Sequence, residues 1–130
     1  MGLLRENACA MVARVEGVNL NAVATTNLFT VPVGKIFTPH YVVLRELSGD
    51  AALLTLTLGQ TGAKTDFLNT QTLSNLNAAE AVGIMQPIPH ATTAKMVEYT
   101  AGEIFCVDIT AADGGGETGT FEVFGTLMDA

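Results

Sequence analysis

Leu54-Thr55-Leu56-Thr57-Leu58, the centre of the stretch 51–59 (AALLTLTLG), puts leucine at every second position and threonine between. A period of two is the repeat of a β-strand, whose side chains point alternately to opposite faces, so the leucines are expected to face a core. Upstream, Ser48-Gly49-Asp50 makes a turn, and Ile36 to Leu47 reads as a long strand. Pro39 marks a bulge or an edge position in it, because proline offers no N–H to a ladder. That strand is apolar on both faces, with Tyr41 and Val43 on one and Val42 and Leu44 on the other. Before it, the β-branched and aromatic run Asn27 to Val31 meets the turn residues Pro32-Val33-Gly34-Lys35, where proline presets φ and glycine accepts φ > 0. A first strand starts at Cys9, with Cys9, Met11, Ala13 and Val15 on one parity and Val12, Arg14 and Glu16 on the other, and Gly17 is expected to end it.

Downstream, 60–66 reads as loop and 67–80 as a packed loop, whose Leu68, Leu73 and Leu76 would equally line a short helix or an edge strand. Val82 to Met85 is a short strand closed off by Pro87 and Pro89, and Lys95 to Tyr99 begins another that turns at residues 100–103. Ile104 to Thr110 alternates Phe105, Val107 and Ile109 against Ile104, Cys106 and Asp108. The glycine-rich run 112–119 is expected to be a mobile hairpin tip, and Thr120 to Met128 closes the chain with Phe121, Val123 and Leu127 on one face. Helix periodicity is weak throughout. About eight antiparallel strands at roughly ten-residue spacing, separated by Gly and Pro turns, predict an all-β chain folded as a single jelly-roll-like β-sandwich over 1–130, with 1–8 as an extended N-terminal arm. Val33-Gly34-Lys35-Ile36-Phe37 is echoed by Ala101-Gly102-Glu103-Ile104-Phe105, which reads as two similar hairpin corners of one sandwich.

Composition narrows the function. A chain of 130 residues supports one core. Hydrophobic residues make up 48% and charged residues 15%, so the chain has the means to fold. Six Lys plus Arg against thirteen Asp plus Glu leave a net charge of −7, which repels phosphate and argues against nucleic acid as a partner. No apolar run reaches the ~18 residues of a membrane span, and Arg5, Glu6 and Arg14 stand where a signal peptide needs an apolar segment. Glu6 also occupies the position where myristoylation of Gly2 favours Ser or Thr. A soluble protein made in a cytoplasm is expected, without membrane contact. Cys9 and Cys106 are too few and too far apart for a disulfide framework and are read as reduced core or near-core thiols. Seventeen threonines and seven asparagines take over much of the surface from ions.

The residue types of a catalytic centre are scarce. His40 and His90 lie fifty residues apart, each beside a proline or one residue from it, and do not make the clustered set of a metal-dependent sandwich. Ser48 and Ser74 sit outside any nucleophile elbow, and Cys106 lies mid-strand between Phe105 and Val107. Asp108 and Glu122, placed across the last hairpin, would be a carboxylate pair, but the chain has no tryptophan to stack a sugar. Asp113-Gly114-Gly115-Gly116-Glu117 lacks the ligand spacing of an EF-hand loop. The reading is therefore a protein that is not an enzyme and has no cofactor or metal.

What remains is surface. If Phe121, Val123 and Leu127 face the core, strand parity turns Phe124 and Met128 outward, and Tyr41 joins them from the long strand. These three are the candidate interface residues, to be covered by further copies of the chain or by a larger assembly.

Four segments resemble the small β-sandwich structural proteins of tailed bacteriophages, found as capsid decoration or cement proteins and as fibre or spike modules. They are Leu28-Phe29-Thr30-Val31-Pro32-Val33-Gly34-Lys35, Gln71-Thr72-Leu73-Ser74-Asn75-Leu76, Tyr99-Thr100-Ala101-Gly102-Glu103-Ile104-Phe105 and Phe121-Glu122-Val123-Phe124-Gly125-Thr126-Leu127. The resemblance spans about three quarters of the chain and excludes its first twenty residues. It implies a virion protein made in the bacterial host cytoplasm, a homotrimer on the capsid surface that binds the major capsid protein where subunits meet and bridges them. The alternative it leaves is a receptor-binding, tail-fibre or spike module that recognises host surface glycan.

Overall fold

The computed structural model describes residues 8–88 and 98–130. The arm expected over 1–8 falls almost wholly outside them, as do His90, Pro89 and the strand start at Lys95. Among the described residues there is no helix. Nine strands form two antiparallel sheets: β1 (Ala10–Asn19), β2 (Thr25–Thr30), β3 (Lys35–Arg45), β4 (Thr55–Gln60), β5 (Ala63–Thr72), β6 (Gly83–Met85), β7 (Tyr99–Thr100), β8 (Ile104–Ala111) and β9 (Thr118–Asp129). The first sheet runs β1-β9-β3-β6 with β7 also on β3, and the second runs β2-β8-β4-β5.

This order is that of a jelly roll, and its logic is a folded ribbon. The chain doubles back between β4 and β5, where Gln60 pairs with Ala63. Its two halves then run side by side, β1 with β9, β2 with β8, and β3 with both β6 and β7. β6 faces Val42 to Leu44 and β7 faces Ile36 and Phe37, so the two act as one interrupted eighth strand. The ribbon crosses between sheets three times, and at each crossing the two halves are tied by backbone hydrogen bonds. At the first, Leu20 N donates to Glu117 O (3.0 Å) and Asp113 N to Leu20 O (3.1 Å). At the second, Val31 N donates to Glu103 O (3.0 Å) and Gly102 N to Val31 O (2.9 Å). At the third, Ala51 N donates to Leu76 O (2.8 Å) and Glu80 N to Leu47 O (3.0 Å).

The second crossing explains the sequence echo. Lys35 N bonds to Pro32 O and Glu103 N to Thr100 O, closing two matched turns with Gly34 (φ 79°) and Gly102 (φ 86°) at the third position. That position needs φ > 0, which glycine adopts without a Cβ penalty. The two corners are therefore not hairpins but the two strands of one ribbon bend.

The core lies between the sheets. Leu54, Leu56, Leu58, Phe105, Val107, Ile109, Phe121 and Val123 are all fully or almost fully buried, as the alternation predicts, and Leu127 packs against them. Phe105 sits at the centre of an aromatic cluster with Phe37, Phe67 and Tyr99. Gly119 and Gly125 are inward positions of β9 without a side chain, and a Cβ on Gly125 would stand 2.5 Å from the Phe37 ring and 2.3 Å from Thr38 O. Pro39 lies between the residues of β3 that pair with β6 and those that pair with β7, and the register against β9 shifts between Pro39 and Tyr41. The bulge expected at Pro39 is present.

Several local expectations give way to long-range pairing. β1 continues past Gly17, which takes φ 64° within a register shift between Val15 and Val18. A second shift between Met11 and Ala13 places Val12, Ala13 and Val15 against the core and leaves Met11 47% exposed, so the simple parity of this strand fails. The stretch read as loop from Gln60 to Glu80 contains the ten-residue strand β5. Phe67 and Leu68 are both buried there because irregularities in the β4 pairing break the alternation. The segment 112–117 is no hairpin tip: it carries the chain from β8 in one sheet to β9 in the other and is bonded to Leu20. Cys106 is fully buried, and burial pushes its thiol up to about 11, whereas Cys9 is exposed rather than near the core.

Candidate functional site

The two outer faces of the sandwich differ in chemistry. On the second sheet the outward side chains close on one another. Thr25 Oγ1 donates to Asp108 Oδ1 (2.7 Å), Lys64 Nζ reaches Thr25 Oγ1 (2.9 Å) and Asp108 (3.7 Å), and Thr55 and Thr72 share a hydrogen bond of 2.8 Å. The threonines that stood out in the composition cover this face.

The first sheet is different. Register places Met11, Phe124 and Tyr41 side by side across β1, β9 and β3. The rings of Tyr41 and Phe124 stack with centroids 4.8 Å apart and planes 14° from parallel, in the offset arrangement aromatic pairs favour. Both rings are half-buried within this chain. Towards one end of β9, Met128 lies opposite Ile36 and is 41% exposed, and His40, itself exposed, contacts Thr126 Oγ1 through Nε2 at 3.0 Å. On the other side of β3, Ile84 pairs with Val43 and is 68% exposed. The three interface candidates from the sequence, Tyr41, Phe124 and Met128, thus share one outward face, and Met11 and Ile84 join them. Met11 was missed because the bulge that turns it outward leaves no mark in a parity count.

Beside this apolar area runs an ionic row. Register sets Arg14 opposite Glu122, and Glu122 opposite Val43. Glu122 is 4% exposed and is held between two guanidinium groups, Arg14 Nη1 on Oε2 and Arg45 Nε on Oε1 at 3.1 Å. Arg14 also reaches Glu16 Oε1 (3.0 Å) and Glu46 Oε1 (2.7 Å), and these contacts raise its already high pKa. Glu46 leaves the strand with φ 54° and accepts from Thr120 Oγ1 at 2.7 Å. The Thr120 hydroxyl first, and Arg14 second, hold the Glu46 carboxyl below its ordinary range. A carboxylate depressed in this way contributes stability that is present above its unfolded pKa and lost as the pH falls through its folded one. Acid is therefore expected to loosen this corner.

Glu122→Gln tests the row directly. An amide presents one acceptor and one donor where two guanidinium groups need acceptors, so one arginine loses its partner. A fully buried pair broken this way costs about 3–5 kcal/mol. With Arg14 and Arg45 a third to a half exposed, water compensates in part, and a loss of about 1–2 kcal/mol is expected in urea denaturation. No measurable loss would mean the row is ornamental to the fold.

The other residues singled out by type do not converge. Asp108 and Glu122 lie in opposite sheets and point to opposite outer faces, so the carboxylate pair imagined across a last hairpin does not exist. Ser48 Oγ accepts from Thr118 N at 2.9 Å and ties the β3–β4 connection to the start of β9, and Ser74 is exposed on the turn between Leu73 and Leu76. Among the described residues no three His, Cys, Asp or Glu side chains are gathered as a ready metal-ligand set, and no helix is long and apolar enough to cross a membrane. No protein-family model matches the chain, and no curated protein matches it.

Proposed function

We propose that this chain is a non-enzymatic structural protein of a virion, a capsid decoration or cement protein that docks on the outer capsid surface as a homotrimer and bridges neighbouring capsid subunits. The observation that carries this reading is the asymmetry of the two outer faces. One is closed by its own threonine and lysine contacts, while the other keeps a stacked Tyr41–Phe124 pair, Met11, Met128 and Ile84 at the surface beside two arginines. Aromatic residues, methionine and arginine are the types enriched at the centre of protein interfaces. The position in a virion comes from the resemblance of the four segments to phage sandwich proteins, and the jelly-roll order is compatible with it.

In mechanism, the rigid sandwich supplies a preformed face whose backbone is already fixed by pairing on both sides of β9 and β3. Little ordering entropy is then lost on docking. Covering each large apolar side chain contributes about 1.5–3 kcal/mol. A trimer that engages several lattice points at once gains effective concentration over any single contact, so modest contacts suffice to strengthen a shell.

The test is the solution state of the full chain, by light scattering, followed by sedimentation with purified expanded capsids. A trimer that saturates at a fixed ratio to capsid subunits is the expected outcome. A monomer that leaves the capsids unlabelled would overturn the proposal, and so would specific capture on a glycan array without capsid binding.

A further inference from the structure

A second feature lies away from the apolar face, at the first ribbon crossing. There the β8–β9 connection and the later part of the β3–β4 connection enclose a cleft of about 350 Å³ lined by Asp50, Leu53, Asp113, Gly115 and Glu117 among others, and no Lys, Arg or His lines it. Asp113 is 5% exposed. Its Oδ1 accepts from Gly115 N at 2.9 Å, while its Oδ2 is shut off from solvent with no donor. Glu117 lines the same cleft and likewise keeps Oε2 buried without a donor. Bare backbone makes room for this carboxylate: a Cβ on Gly115 would stand 2.4 Å from Glu117 Oε2, and one on Gly49 would stand 3.0 Å from Oε1. Asp50 adds a third negative charge, with its Oδ1 accepting from Ala52 N at 2.9 Å.

Two carboxylate oxygens shut off from water in one cleft need positive charge beside them, either a proton or a cation. We propose that this cleft binds a hard divalent cation of the calcium class, with Asp113 Oδ2 and Glu117 Oε2 as protein ligands, Asp50 at the mouth and water completing the shell. The donors on the cleft side chains are all oxygen, which suits calcium and disfavours zinc or copper, whose sites draw on nitrogen and sulfur. Calcium accepts irregular oxygen shells that include water. With two carboxylates rather than a full set, affinity in the ~10⁻⁴–10⁻³ M range of weak modules is expected. The raised pKa of Glu117, caused first by its contact with Asp113 and then by burial, agrees with a site that calls for positive charge.

The experiment uses the full chain at neutral pH and compares thermal melts and titration calorimetry in about 5 mM CaCl2 with NaCl of equal ionic strength. Calcium is expected to raise Tm by about 3–6 °C and to bind at one ion per chain. Glu117→Gln is expected to abolish both responses. It should also raise Tm in calcium-free buffer, because its amide donates to Asp113 Oδ2 and removes the repulsion. Asp50→Asn, at the cleft mouth, should weaken binding without removing it. Absence of a calcium-specific response overturns the proposal: a calcium-free Tm that rises between about pH 7.5 and 5.5 is expected from the raised Glu117 carboxyl in either case, and without a calcium response it means that the pair holds only a proton. An equal calcium response in Glu117→Gln also overturns it, since the ion would then sit elsewhere on the acidic surface.

Discussion

Phe105→Ala is expected to lower the free energy of unfolding by about 3–5 kcal/mol. Phe105 is fully buried at the middle of the sandwich. Its ring meets Phe67 of β5 at 5.4 Å, Tyr99 of β7 at 5.6 Å and Phe37 of β3 at 6.1 Å, each close to edge-on. Those three rings come from both sheets, so the hole left by truncation cannot close by a shift of one strand. The Phe37 ring in turn lies against the bare backbone of Gly125, where a Cβ would stand 2.5 Å from it. Edge-to-face pairs add about 0.5–1.5 kcal/mol beyond burial, and here three are lost together. A domain of this size has about 5–15 kcal/mol in all, so the variant should unfold at much lower urea, read by circular dichroism because the chain has no tryptophan. Leu53→Ala is the control: Leu53 is 69% exposed and the change is expected to stay within about 0.5 kcal/mol. A Phe105→Ala loss under about 1 kcal/mol would show that the aromatic cluster is not the keystone of the core.

What the sequence discloses here depends on whether a strand's environment is uniform along its length. Leu54, Leu56 and Leu58 are read correctly because β4 lies mid-sheet with one face on the core, and the same holds for Phe105, Val107 and Ile109. β1 and β5 mislead because bulges change which parity faces inward, and a bulge is a property of two paired strands, not of one. Pro39 is the exception: missing an N–H is visible in a single residue, and its bulge could be foreseen. Pairing itself is out of reach of local patterns. The glycine run 112–119 looks like a hairpin tip, yet its flanking strands belong to different sheets and each pairs with a segment far away in the chain. For the same reason Arg14 and Glu122, separated by 108 positions, do not announce each other, and neither do Asp50 and Glu117. Only the outward direction of Tyr41, Phe124 and Met128 was available in advance, since it follows from parity within strands that keep theirs on the relevant side. The repeated Gly-x-Ile-Phe corners were also visible as a repeat, but their meaning as two halves of one bend needed the ladder between β2 and β8.

The largest functional effect is expected from Phe124→Asp. Phe124 occupies the middle of the outward row, between Met11 and Tyr41, and shares its stacking surface with Tyr41. A carboxylate at this point would be desolvated in any assembly that covers the row, and it would add to the net charge of −7 that every copy already carries. Truncating an anchoring aromatic costs about 2 kcal/mol or more of binding, which is about 30-fold in affinity. In the proposed trimer, three copies losing that contact together multiply the deficit, because the effective concentration gained by multivalency needs each contact to hold. Trimer formation or capsid occupancy should therefore fall by at least about 30-fold, while circular dichroism stays that of the parent because the position faces away from the core. Thr70→Asp adds the same charge on an exposed site of the second sheet and should leave assembly unchanged. If Phe124→Asp assembles and labels capsids like the parent, the first sheet's outer face is not the docking surface. If Thr70→Asp is the variant that fails, the polar sheet is the one that docks.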